Sequence, residues 1–403
     1  MNGRERMAAN PAEESRHDAA TQPDGLSADA RYRYARQLRL PGVGAHGQAR
    51  LAAASVLVVG AGGLGAPALQ YLAGAGVGQL GIVDFDRVQA PDLHRQPLYG
   101  ETALGRLKVE AAAERLADLN PLVRVEPHAT VLSPANALAL VSDYQIVLDG
   151  SDNFATRYLV NDAAVRSGRP VVYGAIHRYE GQYCVFNWKG GPTYRCLCPT
   201  PPSDAQAPSC SEAGVLGVVA GLVGVQMAWQ ALAIILEQTV SAAGRLTLFD
   251  LASGRTTTIG VQRREEQVAR AMKGPLGESE HYAGPLSVCA APDDLEIGAA
   301  DVLDRWTPGE GGGTIAVVDV REAGEEVFGV PIDAPRVPAS MLPARVDLLP
   351  AAPLVVLCCE TGGRSLAAAA RVRSENGAAR VKSLRGGLLA LDAERMRRGP
   401  GGT

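Results

Sequence analysis

Residues 54–65 read ASVLVVGAGGLG, a short apolar run rich in valine that breaks into a turn of glycines. The turn Gly60-Ala61-Gly62-Gly63-Leu64-Gly65 fits the G-x-G-x-x-G pattern between a strand and a helix. Glycines let the backbone approach a phosphate there, and the helix N-terminus supplies amide donors. Asp84 ends the next apolar run, QLGIVDFD, about 20 residues on, where an acid can bind ribose hydroxyls. Asp86, two residues further, joins the predicted nucleotide-binding set. Taken alone, the pattern predicts a dinucleotide enzyme, and a dehydrogenase is the plain reading.

Helical periods and apolar runs alternate after this turn. Residues 106–119 predict an amphipathic helix, 123–127 a strand, 134–141 a helix and 144–150 a strand. Residues 154–167 predict another helix and 170–175 another strand. That alternation predicts a doubly wound, Rossmann-like α/β sheet with parallel strands. After residue 175 the runs GQYCVFNW, RLTLFDL and TTTIGVQ predict an antiparallel extension. Residues 190–211 are rich in Pro and Ser and predict a long loop of the kind that is functional or mobile. Residues 263–291 are charged and aperiodic and predict a linker. Residues 292–397 predict a smaller α/β domain, built on TIAVVDVRE, PLVVLCCE, a helix after Gly363, ARVKSL and a final helix. The first domain then spans 28–262, and residues 1–27, without an apolar core, predict a disordered leader rather than a signal peptide.

The chain has 403 residues and a net charge of −4, so nothing marks nucleic acid as its partner. Seven cysteines without an even framework predict a reducing, cytoplasmic compartment. Residues 213–236 carry no charge and are long enough to span a bilayer. A lone span there would put adjoining strands on opposite sides of a membrane, so a buried helix is expected and no membrane partner.

Three stretches weigh against hydride transfer. DLHRQ puts Arg95 and Gln96 in a loop soon after Asp84, and LGRLKVE puts Lys108 at a helix start. LDGSDNFATR puts Asp152 and Asn153 beyond the C-terminal end of a strand, where α/β sheets bind ligands. Each residue alone reads as a solvated surface charge. Together, two cations and an acid around a phosphate loop suit triphosphate chemistry: the cations offset charge on a departing pyrophosphate and the acid can hold Mg²⁺.

Residues 28–261 resemble the molybdopterin-synthase adenylyltransferase family (MoeB/ThiF-like), relatives of ubiquitin-activating enzymes. The matching text is RYARQLRLPGVGAHGQARL, VLVVGAGGLGAPALQYLAGAGVG, VDFD, DLHRQ, GRLKVE, DGSDNFATRYLVNDA, EGQYCVFN and CSEAGVLGVVAG. The resemblance implies that Gly63 contacts ATP phosphate, Asp84 the ribose, and Arg95 and Lys108 the phosphates, with Asp152 holding Mg²⁺. It also implies a homodimer in which Arg36 reaches the partner subunit's ATP. The implied substrate is the C-terminal Gly-Gly carboxylate of a ubiquitin-like sulfur-carrier protein, which ATP converts to an acyl-adenylate. Two departures stand out. Pro91-Asp92 replaces the family's usual Ser-Asn, placing an acid near the phosphates. Where many members carry a Cys₄ zinc site, the first pair reads Thr193 and Cys196 and no second C-x-x-C follows. Cys196 and Cys198 supply two ligands at most, so no structural zinc is expected; the actinobacterial MoeZ type resembles this pattern.

CETGGRS, residues 359–365, places a thiol ahead of two glycines and Arg364. Loop amides cradle an anion, and a helix N-terminus with an arginine favours thiolate. A buried structural cysteine is the plain alternative, and it is the preferred reading for Cys358 at the strand end. The loop and VVDVRE, residues 317–322, resemble rhodanese-type sulfurtransferases, although Leu391 stands where that family has Trp. This resemblance implies a Cys359 persulfide, charged by thiosulfate or a cysteine desulfurase, that turns the acyl-adenylate into a thiocarboxylate. Cys210, in the long loop, matches a family cysteine of acyl transfer or disulfide resolution. Cys184 alternates with aromatics and reads as core. Two other classes remain open: a rhodanese-like domain serving only for docking, and a binding protein for ubiquitin-like folds in which Pro91-Asp92 has ended ATP turnover.

Overall fold

The structure, a computed structural model, describes residues 26–200, 214–273, 276, 295–306, 314–322, 330–342, 344–360, 362–377 and 380–398. Helices α1 (Ala28–Arg33) and α2 (Gly44–Ala53) lead into β1 (Ser55–Val59), whose Val56, Leu57 and Val58 are fully buried. Strand residues buried on both faces read as a continuous apolar run, which is why β1 shows no alternation. Then follow α3 (Gly65–Ala75), β2 (Gln79–Asp84), α4 (Lys108–Leu119), β3 (Arg124–Ala129), α5 (Ala137–Ser142), β4 (Ile146–Asp149), α6 (Phe154–Ser167) and β5 (Val171–His177). The remainder of this unit is β6 (Glu180–Phe186), α7 (Tyr194–Leu197), α8 (Gly217–Ile235), β7 (Arg245–Asp250), β8 (Arg255–Gly260) and α9 (Glu265–Met272).

The strands form one sheet in the order β3-β2-β1-β4-β5-β6-β7-β8. Pairing is parallel as far as β5 and antiparallel beyond it, as the sequence predicts. The chain leaves β1 toward β2 and β3, then returns to place β4 on the other side of β1. That reversal opens a crevice at the C-terminal ends of β1 and β4, the place where open α/β sheets bind ligands.

The glycines around the crevice mark backbone contacts. A Cβ on Gly65 would lie 1.9 Å from the Gly60 carbonyl oxygen, so α3 can start only with glycine at that position. Gly65→Ala is expected to lower stability by about 3 kcal/mol and to abolish nucleotide binding, measured by thermal unfolding with and without ATP. The charge-free helix α8 has the same logic. A Cβ on Gly217 would meet the His94 carbonyl oxygen at 2.1 Å, and one on Gly224 the Leu64 carbonyl oxygen at 2.4 Å. Its small residues let α8 lie directly against the phosphate loop, and Val219, Ala220, Val223 and Met227 are buried there. Length and composition suit this helix to a membrane, but its packing partners are α3, β5 and β6.

Residues 265–272 fall within the stretch that composition assigns to a linker, yet they form α9. Acids fill its first turn, Ala271 is buried, and Arg166 Nε donates to the Ala271 carbonyl at 2.8 Å. Val268, Ala271 and Met272 do recur at helical spacing, but the helix is eight residues long inside a charged stretch punctuated by Gly and Pro, and the composition of the whole stretch hides it.

The chain divides into two compact units, 1–282 and 283–403. In the second, β9 (Glu296–Ile297), α10 (Ala299–Leu303), β10 (Ile315–Asp319), β11 (Leu354–Cys358), α11 (Gly363–Asn376), β12 (Val381–Leu384) and α12 (Gly387–Arg398) follow in order. Its sheet, β10-β11-β12-β9, is wholly parallel. Apolar clusters cover both faces, one around Val355, Leu357 and Val372, the other around Val356, Leu384 and Leu388.

Candidate active site

The crevice is walled by the glycine turn and by the acids and cations that follow β2. Gly60 has φ +89°, and a Cβ on it would lie 3.0 Å from the Gly150 carbonyl oxygen, so the turn after β1 touches the turn after β4. Asp84 accepts N–H bonds from Ala61 (2.8 Å) and Asp86 (2.8 Å), which ties the end of β2 to the glycine turn. Burial raises the Asp84 pKa above its ordinary 3.8, while Lys108 works against that rise. Lys108 Nζ donates to Asp86 at 3.1 Å and stands 3.7 Å from Asp92. Burial acts to lower the Lys108 pKa, but Asp86, Asp84 and Asp92 outweigh it and hold the ammonium above its ordinary 10.5. Lys108 is thus a buried, permanent cation beside the phosphate loop.

Arg95 and Gln96 flank the same loop. A Cβ on Gly63 would lie 3.7 Å from Arg95 Cγ, and one on Gly62 would lie 3.7 Å from Gln96 Nε2. Gln96 is buried and its Oε1 has no hydrogen-bond partner. A buried acceptor without a donor calls for an incoming group, and a nucleotide with hydroxyls or metal-bound waters can provide one. Open glycine backbone, two cations and that acceptor fit a nucleoside polyphosphate.

The turn after β4 brings Asp152 and Asn153 to the same edge of the sheet. Asp152 is exposed there. Asn153 caps α6, its side-chain oxygen accepting the Thr156 N–H at 2.9 Å, so its side chain is held by the helix. Arg36 is exposed, between Tyr34 and Gln37, which bond to Asn120, Gln48 and the Ala75 carbonyl. Cys210 lies outside the described residues, as does Cys289.

Three residues at this edge escape sequence reasoning. Asp149 ends β4 fully buried, and burial raises its pKa although Ser151 donates to it through N–H and hydroxyl. Arg157 is buried, donates to the Ser151 carbonyl at 3.2 Å and stacks over Phe154 and Tyr173. Tyr99 donates its hydroxyl to the Ala61 carbonyl at 2.8 Å, bracing the glycine turn from below. LDGSDNFATR contains the first two, but only the fold shows them to be interior.

The paired cysteines before α8 have separate surroundings. Cys196 Sγ accepts N–H bonds from Thr193 and Arg264, both at 3.4 Å, while Cys198 stands by Tyr194 and Arg157. Among the described residues no group of three His, Cys, Asp or Glu side chains is arranged to hold a metal ion. Cys184 is core, its thiol pushed up to about 12 by burial.

In the second unit, β11 ends at Cys358 and the chain turns into α11 through the cysteine loop. Cys359 Sγ accepts the Gly362 N–H at 3.2 Å and the Ser365 N–H at 3.4 Å. These amides belong to the N-terminus of a 14-residue helix. Gly387 approaches from the other side: its Cβ would lie 2.3 Å from the Cys359 carbonyl oxygen, which also accepts the Leu388 N–H at 2.8 Å. Arg364 is half-buried in the first turn of α11. Behind the loop, Arg321 pairs with Asp319 and, at 2.8 Å, with Glu360, so the acid next to the thiol is turned into an ion pair. Asp319 and Arg321 of VVDVRE are support residues that the sequence does not single out.

Cys359 is itself buried, 3% exposed, among the residues of the first apolar cluster, a burial the sequence reading did not favour for it. Cys358 points the other way, into the second cluster against the Val318 carbonyl, and burial pushes its thiol far up. Cys358→Ala is expected to cost about 1–2 kcal/mol of stability while leaving sulfane-sulfur uptake at Cys359 intact. Thermal unfolding and a thiosulfate–cyanide assay measure the two effects.

The fold and the glycine turn define a doubly wound nucleotide-binding protein carrying a second, thiol-bearing α/β unit. Its sequence matches the ThiF family over residues 34–270, and the chain belongs to that family. The probable adenylyltransferase/sulfurtransferase MoeZ of Mycobacterium tuberculosis is 41% identical over 377 residues, 91% of this chain and 93% of that one. The sulfur carrier protein adenylyltransferase of Thermus thermophilus is 50% identical over 236 residues, 57% of this chain and 87% of that one. The adenylyltransferase and sulfurtransferase MOCS3 of Sus scrofa is 48% identical over 64% of this chain and 57% of its own length. Among solved structures, PaaA superposes with a TM-score of 0.52 at 21% identity, covering 62% of this chain and 78% of that one. The Escherichia coli protein MccB gives 0.51 at 18%, covering 57% and 72%, and both likenesses concern the fold alone. The near full-length likeness to MoeZ makes this chain an enzyme of the adenylyltransferase and sulfurtransferase type, one that uses ATP.

Proposed function

We propose that the enzyme adenylates the C-terminal glycine of a ubiquitin-like sulfur-carrier protein and then converts it to a thiocarboxylate with sulfur carried on Cys359. The observation that carries this reading is the pairing in one chain of a cation-lined phosphate loop with an amide-cradled thiol. The carrier's carboxylate oxygen attacks the α-phosphorus of ATP, and the bond to pyrophosphate breaks. Lys108 and Arg95 neutralise the leaving pyrophosphate and Asp84 binds the ribose, and Asp152 is the residue that would hold Mg²⁺, which would supply further positive charge to the phosphates. Cys359 thiolate takes sulfane sulfur from thiosulfate, releasing sulfite, or from a cysteine desulfurase persulfide. The terminal persulfide sulfur then attacks the acyl carbon and displaces AMP, giving an acyl disulfide. Cys210, or another thiolate, attacks Cys359 Sγ; a disulfide forms on the enzyme, the carrier leaves as thiocarboxylate, and a reductant supplies two electrons to reset the thiols.

Two surfaces support the partners. A cavity of about 430 Å³ on the antiparallel extension is lined by Ile176, Gln182, Leu248, Phe249, Thr257 and Ile259. It reaches the β5–β6 turn, at the sheet edge that carries the glycine loop, and suits the apolar face of a carrier whose tail extends to ATP. On α8, Val218 (60% exposed), Leu222, Val225 and Trp229 (44% exposed) form an apolar stripe suited to a second copy of the chain. The homodimer, with Arg36 reaching the partner subunit's nucleotide, belongs to this proposal, as does a cytoplasmic setting without membrane or nucleic acid. The direct test of the first half is ATP–pyrophosphate exchange, which must depend on a carrier ending in Gly-Gly. Exchange without carrier, or none with any carrier, contradicts it.

A further inference from the structure

Asp92 occupies an unusual position for an acid. Its Oδ2 accepts the Gln89 N–H at 3.0 Å, which fixes the carboxylate in its turn. Its Oδ1 accepts from Arg95 Nη2 at 3.0 Å and from Gln96 Nε2 at 3.1 Å, and Lys108 Nζ stands 3.7 Å from Oδ2. The Arg95 guanidinium is folded back on its own loop, with Nη1 donating also to the Pro91 carbonyl at 2.6 Å. Arg95 is therefore bound to one buried carboxylate, and Lys108, hydrogen-bonded to Asp86 at 3.1 Å, stands within ion-pair distance of the same group, while Gln96 and Arg95 in turn border Gly62 and Gly63.

We propose that Asp92 is a resident counter-ion that stands in for nucleotide phosphate, holding Arg95 and Lys108 in place and competing with ATP and pyrophosphate for them. The proposal rests on the adenylation reading and adds to it a positioning residue that sets phosphate affinity. A carboxylate that already holds these cations repels an incoming polyphosphate and must share or yield them. When pyrophosphate forms, Asp92 recaptures both cations, so the product leaves more readily than from a site with a neutral side chain. The sequence pays for this with weaker ATP binding and gains faster release.

The test is titration calorimetry of the full chain with inorganic pyrophosphate and with a non-hydrolysable ATP analogue, each with Mg²⁺. Asp92→Asn removes the charge and keeps the shape; Asp92→Ser keeps an oxygen for the Gln89 amide and covers the case in which the first variant fails to fold. Both variants are expected to bind pyrophosphate about tenfold more tightly than the parent and to show a lower KM for ATP without a rise in kcat. A purely structural role would weaken both ligands. Folded variants that bind pyrophosphate no more tightly than a parent that binds ATP overturn the Asp92 proposal alone. Failure of the parent and both variants to bind the ATP analogue overturns the adenylation reading, and this proposal with it.

Discussion

Cys359→Ser is expected to leave a protein that still releases pyrophosphate in the presence of its carrier but forms no thiocarboxylate. Serine oxygen can accept the Gly362 and Ser365 N–H bonds that hold Cys359 Sγ, so the loop keeps its shape. What is lost is the atom that carries sulfur: a hydroxyl side chain takes up no sulfane sulfur, and no neighbour replaces it. Cys358, one residue away, faces the core with its thiol far from ionising. Loss of a nucleophile of this kind is worth roughly 10³-fold or more in turnover. Thiocarboxylate formed at the parent rate by Cys359→Ser would make the second unit a docking module instead.

Lys108→Met is expected to lower kcat/KM for adenylation by roughly 10²- to 10³-fold, measured by carrier-dependent pyrophosphate release. Lys108 is the more buried of the two cations, and its ammonium is the charge nearest Asp86. The same change affects stability, because Asp84, Asp86 and Asp92 lose a shared counter-charge. Asp86 is half-exposed, which reduces the loss to about 1–2 kcal/mol. The pH dependence follows from the raised Lys108 pKa: its contribution to stability is complete below 10.5, the unfolded value, and is lost as pH rises through the higher folded value. The melting-temperature gap between parent and variant should therefore be full at pH 8 and shrink in strong alkali.

How far the sequence revealed this protein depended on the range of the interactions. The glycine turn, Asp84 and the cysteine loop were legible because each is a local backbone requirement written in adjacent residues. The parallel pairing followed from alternating periods and the antiparallel extension from the change of pattern after residue 175, whereas the strand order, set by which strands come to lie side by side, was not read from the sequence. Asp149, Arg157 and Tyr99 were not legible, since their roles come from contacts made across separate turns. Asp92 was visible as a departure, but its hold on Arg95, Gln96 and Lys108 belongs to the folded loop. Helix α9 was missed because an eight-residue helix, although Val268, Ala271 and Met272 give it a helical period, is hidden by the charged, Gly- and Pro-punctuated composition of the stretch around it. In α8 a charge-free run long enough for a membrane span was read as a buried helix, and the close approach of Gly217 and Gly224 to neighbouring carbonyls explains its composition.

The most direct measurement of the central claim is intact mass spectrometry of Gly-Gly carrier proteins incubated with the enzyme, Mg-ATP, thiosulfate and a reductant. The account predicts a mass gain equal to exchange of one oxygen for one sulfur, absent without ATP and absent with Cys359→Ser. AMP formation without that gain would contradict the sulfur-transfer half, and a gain that persists without ATP would contradict activation by adenylation.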